Sequence, residues 1–364
     1  MAEFTFEDLE SKYQNFYAPA FEIKINGQNL VKNQGMAVTG FKLVTKVTEP
    51  DTLSFGVANA YDMQSGEMHW LEDFLYIGRS VDASVGYIST FTRLFKGFVK
   101  SVNVDYPSGG APTVRVECIS YSFLMTRATY FKIWHDKKYS DVVTEIAGKY
   151  SSYIKSSVVD ATATQLVSIV HNNTNDFVFL RWVAEQINYD FYVREDTLYF
   201  KKALKDKSAV TALKWGKSLR SFSPVIDLGG QVPKVTVNAW DAKNDKAISV
   251  TVSAVEKIEG SGKSGTEILQ SLLGSTAAIE KNSTIAMTEA EAKIEAAAVL
   301  NRASMKLVAG SGDTIGIPEI RAGKYIQIEG VGAKLSGLYF IKTATHTIGD
   351  SGYITGFELE RNAI

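Results

Sequence analysis

The chain has one cysteine, Cys118, in 364 residues, so it forms no internal disulfide and its folding does not depend on an oxidising compartment. At an alternating strand position, that cysteine reads as a small core residue. Histidine is scarce. His69, His135, His171 and His346 are dispersed, with no helical i, i+4 pair and no cysteine nearby, which argues against zinc and leaves no metal or cofactor expected. Charge of one sign is lacking too, with 39 basic against 40 acidic residues, so there is no global attraction to nucleic acid or anionic lipid. No apolar run approaches the length of a bilayer span, and no stable membrane insertion is expected. The start, Met1-Ala2-Glu3-Phe4-Thr5-Phe6-Glu7-Asp8, has no basic region and no apolar stretch of a leader, which points to synthesis in the cytoplasm.

What the chain does have is alternation. Near its end, Tyr325, Ile326 and Ile328, then Leu338 to Ile341, then Ile354, Phe357 and Leu359 recur with glycines at every break: three strands of an antiparallel meander. An earlier stretch has the same order. Ile77-Gly78 leads to Val81 and Val85, Leu94-Phe95-Lys96-Gly97-Phe98-Val99 follows, and Val114, Val116 and Cys118 close it after a Gly-rich turn. Two β modules of one kind suggest quasi-equivalent surfaces, which bears on assembly more than on catalysis.

The expected fold is mainly β with an α/β insert: two related antiparallel β-barrels, a small α/β domain and a helical excursion. The boundaries drawn are an N-terminal arm over 1–20, a first barrel over 21–130, the α/β insert over 131–203, a second barrel over 204–260 and 308–364, and the excursion over 261–307. Asn26-Gly27 suits a type I′ hairpin at the start of the first barrel. Ser140 and Asn175 mark the starts of two helices in the insert, and Glu195-Asp196 turns between two of its strands. In the excursion Thr288 and Glu291 form a capping box for an alanine-rich helix.

Candidate chemistry is thin. Gly262-Lys263-Ser264 lacks the glycine five residues before Gly262 that a phosphate loop requires, since Lys257 stands there, and it reads as a flexible Gly/Ser loop. Gly349-Asp350-Ser351-Gly352 has Tyr353 where a protease nucleophile turn carries glycine, so it reads as a two-residue strand turn. Glu358 and Glu360 share one strand face opposite Phe357 and Leu359, the pattern of a solvated face. Glu289, Glu291 and Glu295 fit the first turn and outer side of a helix. Tyr121, Phe123, Tyr130, Phe131 and Trp134 suit core packing and subunit contacts better than a glycan platform. No catalytic, cofactor or metal residue is assigned, and the chain is not expected to be an enzyme.

Several of these residues resemble one family. Gly323, Gly330-Val331-Gly332, Ser336-Gly337-Leu338-Tyr339, His346 and Gly352-Tyr353-Ile354-Thr355 resemble the end of the phage late control gene D family, the baseplate hub proteins of contractile tails. Tyr139-Ser140-Asp141-Val142-Val143 with Ile146-Ala147, then Asn173-Thr174-Asn175-Asp176 and Leu198-Tyr199-Phe200, are similar to its α/β insert. The same fold forms the front half of type VI secretion spike proteins. The resemblance implies structural roles for Gly323, Gly330, Gly332, Gly337, Tyr339, His346, Gly352 and Tyr353. It also implies a homotrimer whose three chains present six similar units around a channel. The partners implied are a sixfold tail tube or tube-initiator protein, a separate trimeric spike and other baseplate proteins, with no sequence-specific nucleic acid. Its place would be the baseplate of a phage tail or tail-like injection particle, as a virion component made in the bacterial cytoplasm. The alternative is a carbohydrate-binding or cell-wall-degrading tail component.

Overall fold

The computed structural model describes residues 2–71, 73–274, 278–283 and 285–364; Met1 of the arm and positions 275–277 and 284 of the excursion lie outside the described residues. Alternating burial builds the first module: β1 (Pro19–Ile25), β2 (Val38–Lys46), β3 (Thr52–Val57), β4 (Ser80–Tyr87), β5 (Thr90–Asp105) and β6 (Thr113–Ser120). In β6 the residues Val114, Val116 and Cys118 face the core while Thr113, Arg115 and Glu117 face out. The second module has six strands of its own: β7 (Ala209–Lys214), β8 (Leu219–Ile226), β9 (Val308–Ile315), β10 (Tyr325–Glu329), β11 (Gly337–Gly349) and β12 (Gly352–Arg361).

The two modules are wired alike. In the first, the strands lie side by side in the order β1-β4-β5-β6-β3-β2; in the second the order is β7-β10-β11-β12-β9-β8. Each strand therefore has a counterpart six numbers on. The one difference in direction is that β1 runs antiparallel to β4 whereas β7 runs parallel to β10. Antiparallel pairing of β2 with β11 joins the modules, with the short strand Gln28–Asn29 beside β1, into a 13-stranded sheet among the described residues. One apolar core spans the joint, with Phe41, Leu43, Phe55 and Val116 from one module beside Ile326, Tyr339, Ile341 and Leu359 from the other.

The arm is part of that core. Its helix α1 (Phe6–Lys12), capped by Thr5, buries Leu9 and then Tyr13 against the sheet. The sequence reading gives only an N-terminal arm over 1–20, without this helix, because one turn of apolar spacing is too short to show periodicity.

The insert has its own core beneath α2 (Tyr139–Lys149) and α3 (Asp176–Gln186), with Val142, Val143, Ile146, Leu180, Val183, Leu198 and Phe200 buried. Asn175 caps α3 as its sequence suggests. Ser140 does not cap α2: the helix begins one residue earlier, and the carboxylate of Asp141 accepts the Lys138 N–H instead.

Residues 227–307 all fall between β8 and β9, where the first module has only the short turn 47–51. The strands Val235–Asp241 and Lys246–Val252, read from sequence as part of the second barrel, pair with each other and with Ile279–Asn282 in a separate sheet. The reason is packing: Val235, Val237 and Ile248 bury against Ala292, Ala296 and Leu300 of α5 (Glu289–Ser304), whose small residues let helix and hairpin approach closely. The Gly262-Lys263-Ser264 segment is a fixed cap and not a flexible loop. Ser264 and Glu267 form a capping box for α4 (Gly265–Leu273), and Lys263 pairs backbone to backbone with Ile364.

Candidate functional site

The joint between the modules gathers Gly323, His346 and Tyr353 of the residues singled out from sequence, and it rests on a repeat that extends to single contacts. A bulge falls in β5 between Val99 and Ser101 and in β11 between Ile341 and Thr343. This aligns Phe98-Val99-Lys100-Ser101 with Phe340-Ile341-Lys342-Thr343. Gly78 and Gly323 then coincide at φ +82° and +79°. Each donates its N–H to the strand residue before the bulge, Val99 at 2.8 Å and Ile341 at 2.9 Å. This positive φ is open to glycine at little cost and strains a side chain, which is why both modules use it there.

Across the joint β11 meets β2 with Thr345 opposite Val44, His346 opposite Leu43 and Thr347 opposite Lys42. The inward row is closed: Phe41, Leu43, Ala344 and His346 are fully buried and Thr45 nearly so. His346 Nδ1 lies 2.8 Å from the Tyr353 hydroxyl and 3.2 Å from Thr355 Oγ1. Burial, reinforced by the Arg321 guanidinium, lowers the imidazole pKa to about 3 and keeps it neutral. The Tyr353 ring packs 5.6 Å from Tyr87, and Tyr87 packs 5.6 Å from Tyr13, so the arm, the first module and the second share one cluster of tilted aromatic rings. Tyr87 donates to the Gly316 carbonyl at 2.8 Å, and Tyr13 to Glu319 at 2.7 Å.

A charged cluster fastens the insert to the same joint. Arg321 pairs with Glu195 at 2.8 Å and donates to the Leu94 carbonyl at 3.0 Å; Arg194 donates to the Ala322 carbonyl at 3.1 Å. Lys96 and Asp196 add a second ion pair at 2.6 Å. Nearby Asp51 accepts the Lys46 N–H at 3.0 Å. Desolvation still pushes its pKa up to about 7, against the opposing pull of that bond and of Arg321. Sequence reasoning missed this cluster because the partners of its ion pairs stand a hundred or more residues apart, although Glu195 and Asp196 were named as turn residues.

The remaining predicted residues take supporting places. Gly337, at φ +145°, sits where a Cβ would run into the paired side chains of Glu259 and Arg361. Tyr339 is buried, donates to the Leu335 carbonyl at 2.6 Å and lies under Arg361. Gly330 and Gly332 follow β10, and Gly352 closes the two-residue turn Asp350-Ser351 between β11 and β12. Ser351 thus stands at a hairpin tip, away from the buried His346. Glu358 is exposed, and Glu360 is ion-paired with Lys342 at 2.7 Å. Among the described residues no cluster of three or more His, Cys, Asp or Glu is arranged to hold a metal. Cys118 is buried, and burial raises its thiol pKa. The aromatic group 121–134 divides: Tyr121 packs on Phe98 and Tyr153, Trp134 is buried in the insert, and Phe131 is exposed. No helix of the described residues is long and apolar enough to cross a membrane. The geometry serves to hold two like units in a fixed relation.

Solved structures share this architecture from end to end. The 43 kDa tail protein of prophage MuSo2 from Shewanella oneidensis superposes with a TM-score of 0.71 at 11% identity, covering 94% of this chain and 98% of that one. The tail protein from Neisseria meningitidis MC58 gives 0.69 at 11% identity, with 95% and 97% covered. An Escherichia coli component of the type VI secretion system, with structural similarity to bacteriophage T4 tail proteins gp27 and gp5, gives 0.55 at 10% identity over 94% of this chain and 77% of that one. At such identities the likeness shows the fold, which is that of these tail proteins. No curated protein matches the sequence. The model of the family described as the Alg8 N-terminal domain matches residues 19–350, and the chain belongs to that family.

Proposed function

We propose that the chain is a structural hub of a phage tail or tail-like injection particle. In this reading it is a homotrimer that joins a sixfold tube to a separate threefold spike. The observation that carries it is the repeat itself: one chain holds two modules of identical strand order, fused edge to edge through β2 and β11. Symmetry gives the repeat a use. A sixfold ring and a threefold needle share no common patch unless one component presents two like units per subunit. The α/β insert occurs once per chain, so three chains offer a nearly sixfold surface at the sheet and a threefold one elsewhere. The fold shared with tail proteins supports the same reading.

Reconstitution tests it. The purified chain, mixed with the tube and spike proteins of its own particle, is expected to form one complex holding both, with three copies of this chain. Binding to neither, or release of soluble fragments from peptidoglycan by the chain alone, would contradict the proposal.

A further inference from the structure

The insert and the excursion keep separate apolar cores, and between them lies a cavity of about 240 Å³. Leu166 and Ile187 of the insert form one wall; Ile285, Ala286 and Ile294 of the excursion form the other. Arg302 on α5 donates to the carbonyls of Ala184 and Tyr189, which ties the two units together beside the gap without closing it. Packed interiors leave few voids larger than a water molecule, and a dry apolar cavity of about 150 Å³ already takes up benzene. This one has room for a substituted ring.

Its polar groups converge at one end. Tyr139, the first residue of α2, is 6% exposed, and its hydroxyl has no hydrogen-bond partner among the described residues. Burial raises the phenol pKa, and the nearby carboxylates of Glu295 and Glu291 raise it further, so the hydroxyl keeps its proton and the field around it is negative. Glu295 is buried and already engaged: it accepts from Ser283 Oγ at 2.6 Å and faces the Lys281 ammonium at 2.7 Å. Glu291 accepts the Met287 N–H at 2.7 Å and has no ion pair among the described residues, so its charge is uncompensated. Lys202, the one basic side chain of the lining, is exposed. Neither the repeat nor the joint between the modules uses any of these groups.

We propose that the cavity binds a small molecule consisting of one apolar ring and a protonated amine. The ring lies between Ile187 and Ile294, and the ammonium donates to the Tyr139 hydroxyl oxygen and to the Glu291 carboxylate. Apolar walls with a few convergent polar groups are the ordinary make-up of a small-molecule site. The charge selects the head group: a carboxylate would meet Glu291 and Glu295, whereas an uncharged alcohol gains the hydrogen bonds without the ionic one. The cavity lies outside the 13-stranded sheet, so binding needs neither a trimer nor a tube or spike, and its failure would leave the hub role untouched.

Three compounds with the same ring and different heads test the site: phenethylamine, phenethyl alcohol and hydrocinnamate. Each is titrated into the full-length chain by calorimetry at neutral pH, with melting temperature as a second readout, since a ligand held only by the folded chain raises it. The amine is expected to bind once per chain, the alcohol about tenfold more weakly because hydrogen bonds to charged groups are the stronger ones, and the carboxylate not at all. Tyr139→Phe is expected to weaken the amine roughly two- to tenfold, the effect of one lost hydrogen bond. Glu291→Gln keeps an acceptor for the Met287 N–H and is expected to erase the preference for amine over alcohol. Ile294→Trp, at a partly exposed position of α5, is expected to fill the cavity and abolish binding while the wild-type fold is kept, as read by circular dichroism. No binding of the amine at millimolar concentration, a carboxylate that binds as well as the amine, or affinities unchanged in Tyr139→Phe and Glu291→Gln would overturn the proposal.

Discussion

Glu117 and Glu358 occupy equivalent places in the two modules. Each accepts a hydrogen bond from the hydroxyl just past a lysine-bearing bulge in the neighbouring strand, Ser101 at 3.2 Å and Thr343 at 2.7 Å. Neither glutamate therefore needs a catalytic explanation. Substituting Glu358 by Gln is expected to change stability by no more than about 1 kcal/mol, since an exposed hydrogen bond contributes little net, and to leave assembly unchanged. Chemical denaturation and oligomeric mass check this; lost assembly would give Glu358 a role beyond the repeat.

Gly337→Val is expected to destabilise the chain by roughly 1–3 kcal/mol from backbone strain alone, with more from the clash with Glu259 and Arg361. Its melting temperature against that of the wild type is the readout. Equal melting would remove Gly337 from the framework of the second module.

The buried His346 makes stability depend on pH. Its folded pKa is depressed to about 3 from 6.5. Below pH 6.5 the unfolded chain binds a proton that the folded chain refuses. The contribution is thus fully present above pH 6.5 and is lost as pH falls towards 3, at up to about 1.4 kcal/mol per pH unit. His346→Gln should flatten the stability curve in that window. Parallel curves for the two proteins would contradict the assignment.

Asp51 acts in the opposite sense. With a folded pKa raised from 3.8 to about 7, it holds a proton that the unfolded chain releases, so stability is lost as pH rises between those values. Asp51→Asn is expected to gain on the wild type as pH rises from about 4 to 7, as seen in melting temperatures taken across that range. A constant difference would show that Asp51 is not protonated in the fold.

Arg321→Met leaves Glu195 with only the more distant Arg93, and a loss of about 1.5–3 kcal/mol is expected, as for other hydrogen bonds to charged groups. The double variant Arg321→Met, Glu195→Gln should recover part of it. Urea unfolding of the single and double variants measures the coupling; simple additivity would mean that the insert is held elsewhere.

The sequence made the periodic parts legible. Asn26-Gly27 and Asp350-Ser351 turn where their backbone preferences say, and counting back from the second turn already sets His346 opposite Thr355. What it hid depends on distance along the chain. Nothing local reveals that Tyr13 reaches Tyr87, or that Asp51 and Arg321 share one buried site. The hairpin over 235–252 carries a clear strand pattern, yet which sheet it joins is decided by the face of α5, some 50 residues on. Ser140 shows the limit of cap residues as signals, since the helix already includes it and its hydroxyl accepts from Thr162 at 3.3 Å instead of capping.

The central claim is that each chain supplies two quasi-equivalent units to a threefold hub. Electron microscopy of the assembled particle tests it most directly. The account predicts three copies whose sheet level looks nearly sixfold while the α/β inserts are plainly threefold, with the tube on the first surface and the spike on the other. A single copy per particle, or a ring of six chains, would contradict it.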